Sequence, residues 1–288
     1  MEKMLNVRLT KELEEFLDSR SKNKSEYVRD LINKDMLENR EIDPKKEYDM
    51  CSEDLLYFAE NYCYIKNSNG SKKAFEPYQF QKEILQNLSN NEWLLIVKSR
   101  QLGITTILAI YSLWKVLFHS EINVSYGSPN KDMNSIFLNE RVSFIYENLP
   151  DWMVKPKLRS KRFIKVFQNR SELMEIPPRG HKGKGYDVAI FDEVSFIPEF
   201  VRMWSRTNMQ INHPDGQVIL TTNGIIKERE NYDALKKFYK KSQFKNLEYS
   251  YLDHPERDED YKDEIVEGGI MTHEKFLKEH GGLVEIKG

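Results

Sequence analysis

The stretch that decides the fold is Leu94-Leu95-Ile96-Val97-Lys98-Ser99-Arg100-Gln101-Leu102-Gly103-Ile104-Thr105-Thr106. Leu94 to Val97 is a short, uninterrupted apolar run, the form of a strand buried on both faces of a parallel sheet. A turn centred on Gly103 follows, and Thr105 to Leu117 reads as a helix that is apolar nearly all round. Strand, glycine-containing loop and helix is the setting in which a P-loop holds phosphate, because loop N–H groups and the positive end of the helix face the anion. The usual pattern G-x-x-x-x-G-K-[ST], laid on residues 98–105, puts Lys98 at the first Gly, Gly103 at the second, Ile104 in place of the Lys and Thr105 at the hydroxyl. A nucleoside triphosphate needs a cation near its β- and γ-oxygens. Either Lys98, at the front of the loop, or Arg100, inside it, supplies that charge. Taken alone, the pattern also suits an ordinary strand-to-helix turn.

A second segment decides between the two. Tyr186-Asp187-Val188-Ala189-Ile190-Phe191-Asp192-Glu193 is another apolar strand, and it ends in adjacent carboxylates. A P-loop ATPase needs one acid at a strand end to hold Mg²⁺ through water and another to orient the attacking water. Asp192 suits the first role, beside the Thr105 hydroxyl, and Glu193 the second. The fold class expected is α/β: a P-loop ATPase with a mainly parallel central sheet flanked by helices, preceded by a small module.

Ser99-Arg100-Gln101-Leu102-Gly103-Ile104-Thr105-Thr106, with Ile-Phe-Asp-Glu at 190–193, resembles the ATPase domain of the large terminase subunit, the DNA-packaging motor of tailed bacteriophages. Some members of that family carry the P-loop Lys at the front of the loop, as Lys98 would. The resemblance covers residues 53–285 and implies ATP and Mg²⁺ as cofactors, with residues 98–106 on the phosphates. It carries Tyr78 and Gln79, in Phe75-Glu76-Pro77-Tyr78-Gln79-Phe80-Gln81, to the adenine; a Gln amide both donates and accepts, which matches the edge of that base. The family places Arg-Gly ahead of the acidic strand, the Arg acting in trans on a neighbour's ATP. Counting back from Glu193, Lys182-Gly183 of the basic loop 179–185 occupies that place and Arg179-Gly180 lies three residues earlier; which of them is the finger stays open, and the loop also suits DNA phosphates. The strand Val218–Thr222, with Asn223-Gly224, resembles the coupling motif without its usual Pro, which assigns Thr221, Thr222 and Asn223 to sensing the γ-phosphate. Partners implied are double-stranded DNA, copies of the chain in a ring at a capsid portal, and a small terminase subunit. Full large terminases continue into an RNase H-like nuclease. No later acidic cluster stands here, so no nuclease activity is expected.

The 288 residues suffice for one α/β domain and an appendage. Net charge is −2 with 31% charged residues, so DNA contact must come from local patches rather than bulk charge. Two Cys, Cys51 and Cys63, have no metal spacing and suit a reducing compartment. There is no signal peptide and no apolar run long enough for a membrane span. The expected location is the host cytoplasm.

Before the ATPase region, Leu5, Val7 and Leu9 alternate with Asn6 and Arg8 as in a half-buried strand. Thr10 and Ser25 each can cap an amphipathic helix. Strand, helix and capped helix within 4–36 resembles a ribbon-helix-helix module, in which two chains pair their strands and enter the major groove. That likeness implies dimerisation through 4–36 and base contacts from Asn6 and Arg8. The other reading is a helical hairpin used for docking. Residues 1–36 are therefore expected as the module, 37–52 as a linker and 53–288 as the ATPase region. Further along, Ser128-Pro129-Asn130 opens a helix through Ile145, 162–176 reads as a hairpin, 247–252 as a last strand, and His254 as part of a solvated turn. Two functions are in play: an ATP-driven DNA translocase, and a DNA-binding regulator whose P-loop region binds nucleotide or is inert. Ile104 favours the regulator; Lys98, Asp192 and Glu193 together favour the motor.

Overall fold

The computed structural model describes residues 43–67, 69–90, 93–154, 157–177, 185–211, 215–223, 229–240, 243–273 and 276. The chain divides into two compact units, Met1–Glu47 and Tyr48–Gly288. The module expected over 4–36, with Asn6 and Arg8, lies outside the described residues, as do Arg179, Lys182 and Gly224.

In chain order, α1 (Pro44–Glu53) and α2 (Leu55–Tyr62) lead to an antiparallel pair, β1 (Tyr64–Lys66) and β2 (Lys72–Ala74). Then come α3 (Gln79–Ser89), β3 (Trp93–Lys98), α4 (Ile104–Phe118) and β4 (Asn123–Gly127). α5 (Lys131–Ile136), a π-helical turn (Phe137–Val142) and α6 (Ser143–Glu147) follow one another directly. β5 (Lys157–Lys161), β6 (Ile164–Phe167) and β7 (Glu172–Glu175) form an antiparallel run. The rest is β8 (Val188–Phe191), α7 (Phe200–Asn208), β9 (Gln217–Thr222), α8 (Arg229–Lys240), β10 (Phe244–Tyr249) and α9 (Glu259–Glu267).

Eight strands make one sheet in the order β10-β3-β9-β8-β4-β7-β6-β5. All pairs from β10 to β7 are parallel; β6 and β5 close one edge antiparallel. The wholly apolar strands are explained by helices on both faces. Leu94, Ile96, Ile190 and Ile219 pack on one side with α2, α3 and α4, whereas Leu95, Val97, Phe191 and Leu220 pack on the other with α7 and α8. α4 is apolar all round because it is buried all round: Ile107, Leu108, Ile110 and Leu113 are wholly inaccessible. Each such side chain contributes ~1.5–3 kcal/mol by leaving water.

Local differences from expectation have local causes. The helix Pro44–Glu53 begins within the stretch expected as a linker, because Pro44 takes the first helical position and the Asp43 carboxylate accepts from Lys45 N (3.0 Å) and Lys46 N (3.4 Å). β5, Lys-Leu-Arg-Ser-Lys, is a charged edge strand whose composition hides it. β10 begins three residues before the expected 247, where Phe244 pairs with Trp93. The helix opened by Asn130 is interrupted by the π turn, which no 3.6-residue periodicity reveals.

Candidate functional site

The sheet order brings the C-terminal ends of β3, β9, β8 and β4 side by side. Val97 lies opposite Thr222, Phe191 opposite Leu220, and Gly127 opposite Phe191. Ligands of open α/β sheets bind at this edge. β3 ends in Lys98, and the turn Ser99–Gly103 leads into α4, with Gln101 (φ 60°) and Gly103 (φ 75°) in the left-handed region. Gly103 is favoured by its conformation, which strains any side chain; an added Cβ would also lie 2.8 Å from Gln81 Nε2, so that amide would have to shift. Its carbonyl accepts from Thr106 N (3.0 Å) and Ile107 N (3.2 Å), starting the helix whose first turn faces the strand ends.

Ile104, at the place of the usual Lys, is 2% exposed and belongs to the core, so that position cannot offer a cation to the loop. Lys98 does face the site: it is 5% exposed and ion-paired with Glu193. Arg100 is exposed and lines a cleft of about 450 Å³ with Lys98, Gln101, Pro129, Met133, Glu193 and Phe196. Ser99 and Leu102 are buried and hold the turn, Ser99 N donating to Tyr249 O of β10 (2.8 Å).

Asp192 continues the β8 ladder, its N–H donating to Gly127 O (2.8 Å). The carboxylate is buried and surrounded by hydroxyl donors. Oδ2 accepts from Thr105 Oγ1 (2.8 Å) and Tyr126 Oη (2.9 Å), and Oδ1 accepts from Thr221 Oγ1. Burial first, then the neighbouring Asp192 charge, push the Tyr126 phenol well above its ordinary pKa, so it stays a donor. Glu193 takes the left-handed conformation (φ 56°, ψ 47°), uncommon for a residue with a side chain. This kink turns its carboxylate from the sheet to Lys98, while its N–H donates to Thr221 Oγ1 (3.1 Å). Of Thr221, Thr222 and Asn223, Thr221 touches both members of the acidic pair. Thr222 donates to Asn223 O (3.0 Å), and Asn223 accepts from Ser195 Oγ (3.2 Å).

Tyr78 and Gln79 stand at the start of α3, beside the loop. Gln79 is exposed at the start of α3, and the buried amide is that of Gln81. Gln81 Nε2 donates to Leu102 O in the loop (2.9 Å), and its Oε1 accepts from Tyr78 N (3.0 Å). The Tyr78 ring packs edge-on against His254 with centroids 4.8 Å apart, so His254 is part of a ring contact and not a free turn. Three further residues reach the site from a distance: Tyr126; Arg141, which donates to Thr106 Oγ1 (3.1 Å); and Arg257, which donates to Arg100 O (3.1 Å) and Gln101 O (3.4 Å). For Tyr126 the one sequence signal is a phenol inside a buried strand, whose hydroxyl must find a partner.

The groups assembled around Asp192 are oxygen donors: the Thr105 hydroxyl stands beside the buried carboxylate. That set suits a hard divalent cation such as Mg²⁺, which takes one or two protein oxygens together with phosphates and water. Among the described residues no group of three or more His, Cys, Asp or Glu could hold a metal by itself.

The family model for the large terminase subunit, T4likevirus type, N-terminal part, matches residues 95–278, a span that contains the loop, both carboxylates and β9. Among solved structures, the large terminase of bacteriophage HK97 superposes with a TM-score of 0.60 at 14% identity, over 80% of this chain and 54% of that one. The large terminase ATPase domain of Thermus phage P74-26 gives 0.55 at 16% identity, over 72% and 93%. The large terminase of another thermophilic bacteriophage, solved in complex with ATP-γ-S, gives 0.54 at 13%, over 72% and 53%. At these identities the likeness is one of fold, and the chain spans about half the length of the HK97 protein and of the one solved with ATP-γ-S. With the family model matching well over half of its length, this chain belongs to the large terminase subunit family.

Proposed function

We propose that this chain is an ATP-hydrolysing motor subunit that drives double-stranded DNA into a procapsid. The observation that carries the reading is the meeting of two distant segments at one sheet edge: Thr105 on Asp192, and Lys98 on Glu193. A site that handles phosphate and a cation together has use for all four groups.

In this reading the N–H groups of the turn 99–103 and the start of α4 receive the phosphates. Lys98 exchanges Glu193 for the β- and γ-oxygens, supplying the cation that Ile104 does not; Arg100, at the cleft mouth, is the other candidate. Thr105 and Asp192 would hold Mg²⁺, which when bound would neutralise charge on the phosphate oxygens. Glu193 accepts a hydrogen bond from the attacking water and aims it at the γ-phosphorus. The bond to the β-phosphate oxygen breaks, leaving ADP and phosphate. Tyr78, with Gln79 beside it, contacts the adenine. Arg179 or Lys182 of a neighbouring copy completes the site, so hydrolysis needs assembly into a ring. An arginine in that place contributes ~10³–10⁵ in rate. Thr221 couples the acidic pair to β9, and Thr222 and Asn223 pass the state toward Ser195. Residues 4–36 contact DNA through Asn6 and Arg8, pairing with a second copy or standing in for a small terminase subunit, and the work is done in the host cytoplasm. Among the described residues no helix is long and apolar enough to cross a membrane.

ATP turnover measured against protein concentration, with and without duplex DNA, tests the reading. Turnover per chain that rises with concentration supports a site completed in trans. Nucleotide binding without turnover at any concentration, DNA present or not, overturns hydrolysis by this chain.

A further inference from the structure

Tyr126 lies outside the phosphate loop and the acidic strand, yet its hydroxyl bonds Asp192 at the end of that strand. It sits on β4, one strand away from Asp192, and is 1% exposed. Its hydroxyl donates to the same oxygen, Asp192 Oδ2, that accepts from Thr105. Two donors on Oδ2 and Thr221 on Oδ1 fix the plane of the carboxylate. A Thr105 hydroxyl that gives its proton to Oδ2 keeps its lone pairs for a cation. Without Tyr126 the carboxylate would be held by Thr221 and by Thr105, the latter itself a candidate ligand.

The ring of Tyr126 is fixed as firmly as its hydroxyl. It stacks on Phe137 with centroids 3.6 Å apart and planes 3° from parallel. Phe137 opens the π-helical turn Phe137–Val142, and Arg141 within that turn donates to Thr106 Oγ1 (3.1 Å). π turns inside helices concentrate at functional sites, because the extra residue re-aims the side chains around it. Here the turn meets the site twice, once through the Tyr126 stack and once at the residue after Thr105.

We propose that Tyr126 is a positioning residue for the Asp192 carboxylate, and that its stack on Phe137 ties the metal-binding end of the site to the π turn that holds Thr106. The inference rests on the nucleotide-and-Mg²⁺ reading of the site and goes beyond it by adding a residue outside both motifs.

The test measures ATP-γ-S binding by calorimetry across a Mg²⁺ series and in EDTA, for wild type, Tyr126→Phe, Asp192→Asn and the double variant. Tyr126→Phe keeps the ring and its stack, and a thermal melt checks its folding. Affinity in EDTA should stay within about twofold of wild type, while the Mg²⁺ concentration for half-saturation rises about tenfold, the equivalent of one hydrogen bond to a charged group. In the Asp192→Asn background the same change should add nothing, since Tyr126 acts through that carboxylate. A Mg²⁺ series unchanged in Tyr126→Phe, or a shift that persists at full size without Asp192, overturns this inference alone. A wild-type chain that gains nothing from Mg²⁺ overturns the nucleotide reading and this inference with it.

Discussion

Asp192 and Glu193 are neighbours at the end of one strand, and the fold treats them in opposite ways. Asp192 stays in register with the sheet, is 1% exposed, and is held by three hydroxyls from three elements. Hydroxyls orient a carboxylate without cancelling its charge, so the charge remains for a cation. Glu193 leaves the register through a left-handed kink and meets the ammonium of Lys98. That partner does cancel its charge, and an anion can draw the partner away. A fixed acid and a releasable acid side by side are what a site needs to hold a cation and also to engage water only once phosphate has arrived.

The comparison breaks most readily at Glu193. Glu193→Gln should lower turnover by ~10²–10⁴, the range for a residue that handles the reacting water, and leave ATP-γ-S affinity equal or tighter, because Lys98 is released from its partner. Asp192→Asn should instead lose the Mg²⁺-dependent part of that affinity. Turnover and equilibrium binding measured on the two variants give opposite patterns if the roles are as assigned. A Glu193→Gln chain that loses binding while Asp192→Asn keeps it would reverse them.

A second variant pair sharpens the releasable side. Lys98→Ala should weaken ATP-γ-S binding by roughly 10- to 100-fold, the loss of one charge-assisted contact. Arg100→Ala, at the exposed mouth of the cleft, should weaken it by less. Equal losses would divide the cation's role between them, and a larger loss for Arg100→Ala would return Lys98 to a purely structural ion pair with Glu193.

The floor of the site was legible because it follows the backbone. An apolar strand, a Gly in a turn, a hydroxyl two residues on and an acidic strand end are local signals, and parallel pairing brings strand ends to one edge whatever lies between them. For the displaced cation the sequence offered two candidates, Lys98 at a strand end and Arg100 in the loop; what it did not reveal is that Ile104 faces the core. The rim follows side chains from distant elements. Arg257 lies 156 residues from Gln101 and Tyr126 lies 66 from Asp192, and nothing near either residue announces the contact. Arg141 is aimed by a π turn, an insertion that leaves the apolar spacing of its helix almost unchanged. The basic loop with Arg179 and Lys182, and the segment with Asn6 and Arg8, lie outside the described residues.

The smallest effect concerns two glutamines two residues apart. Two steps along a helix turn a side chain by roughly 200°, so Gln79 and Gln81 face opposite ways. Tyr78-Gln79 and Phe80-Gln81 are both aromatic-Gln pairs; the resemblance carries to Gln79, whereas the buried amide that braces the loop at Leu102 is Gln81's. Gln81→Ala removes a buried donor and should destabilise the chain by ~1–2 kcal/mol, read as a lower Tm, with a matching loss for every nucleotide because the loop itself loosens. Gln79→Ala should leave Tm unchanged and weaken ATP relative to GTP, the mark of a contact to the base and not to the phosphates. If Gln79→Ala leaves that preference untouched, the Gln79 contact is lost from the proposal. The adenine side of the site then falls to Tyr78 and the ring it already meets, His254.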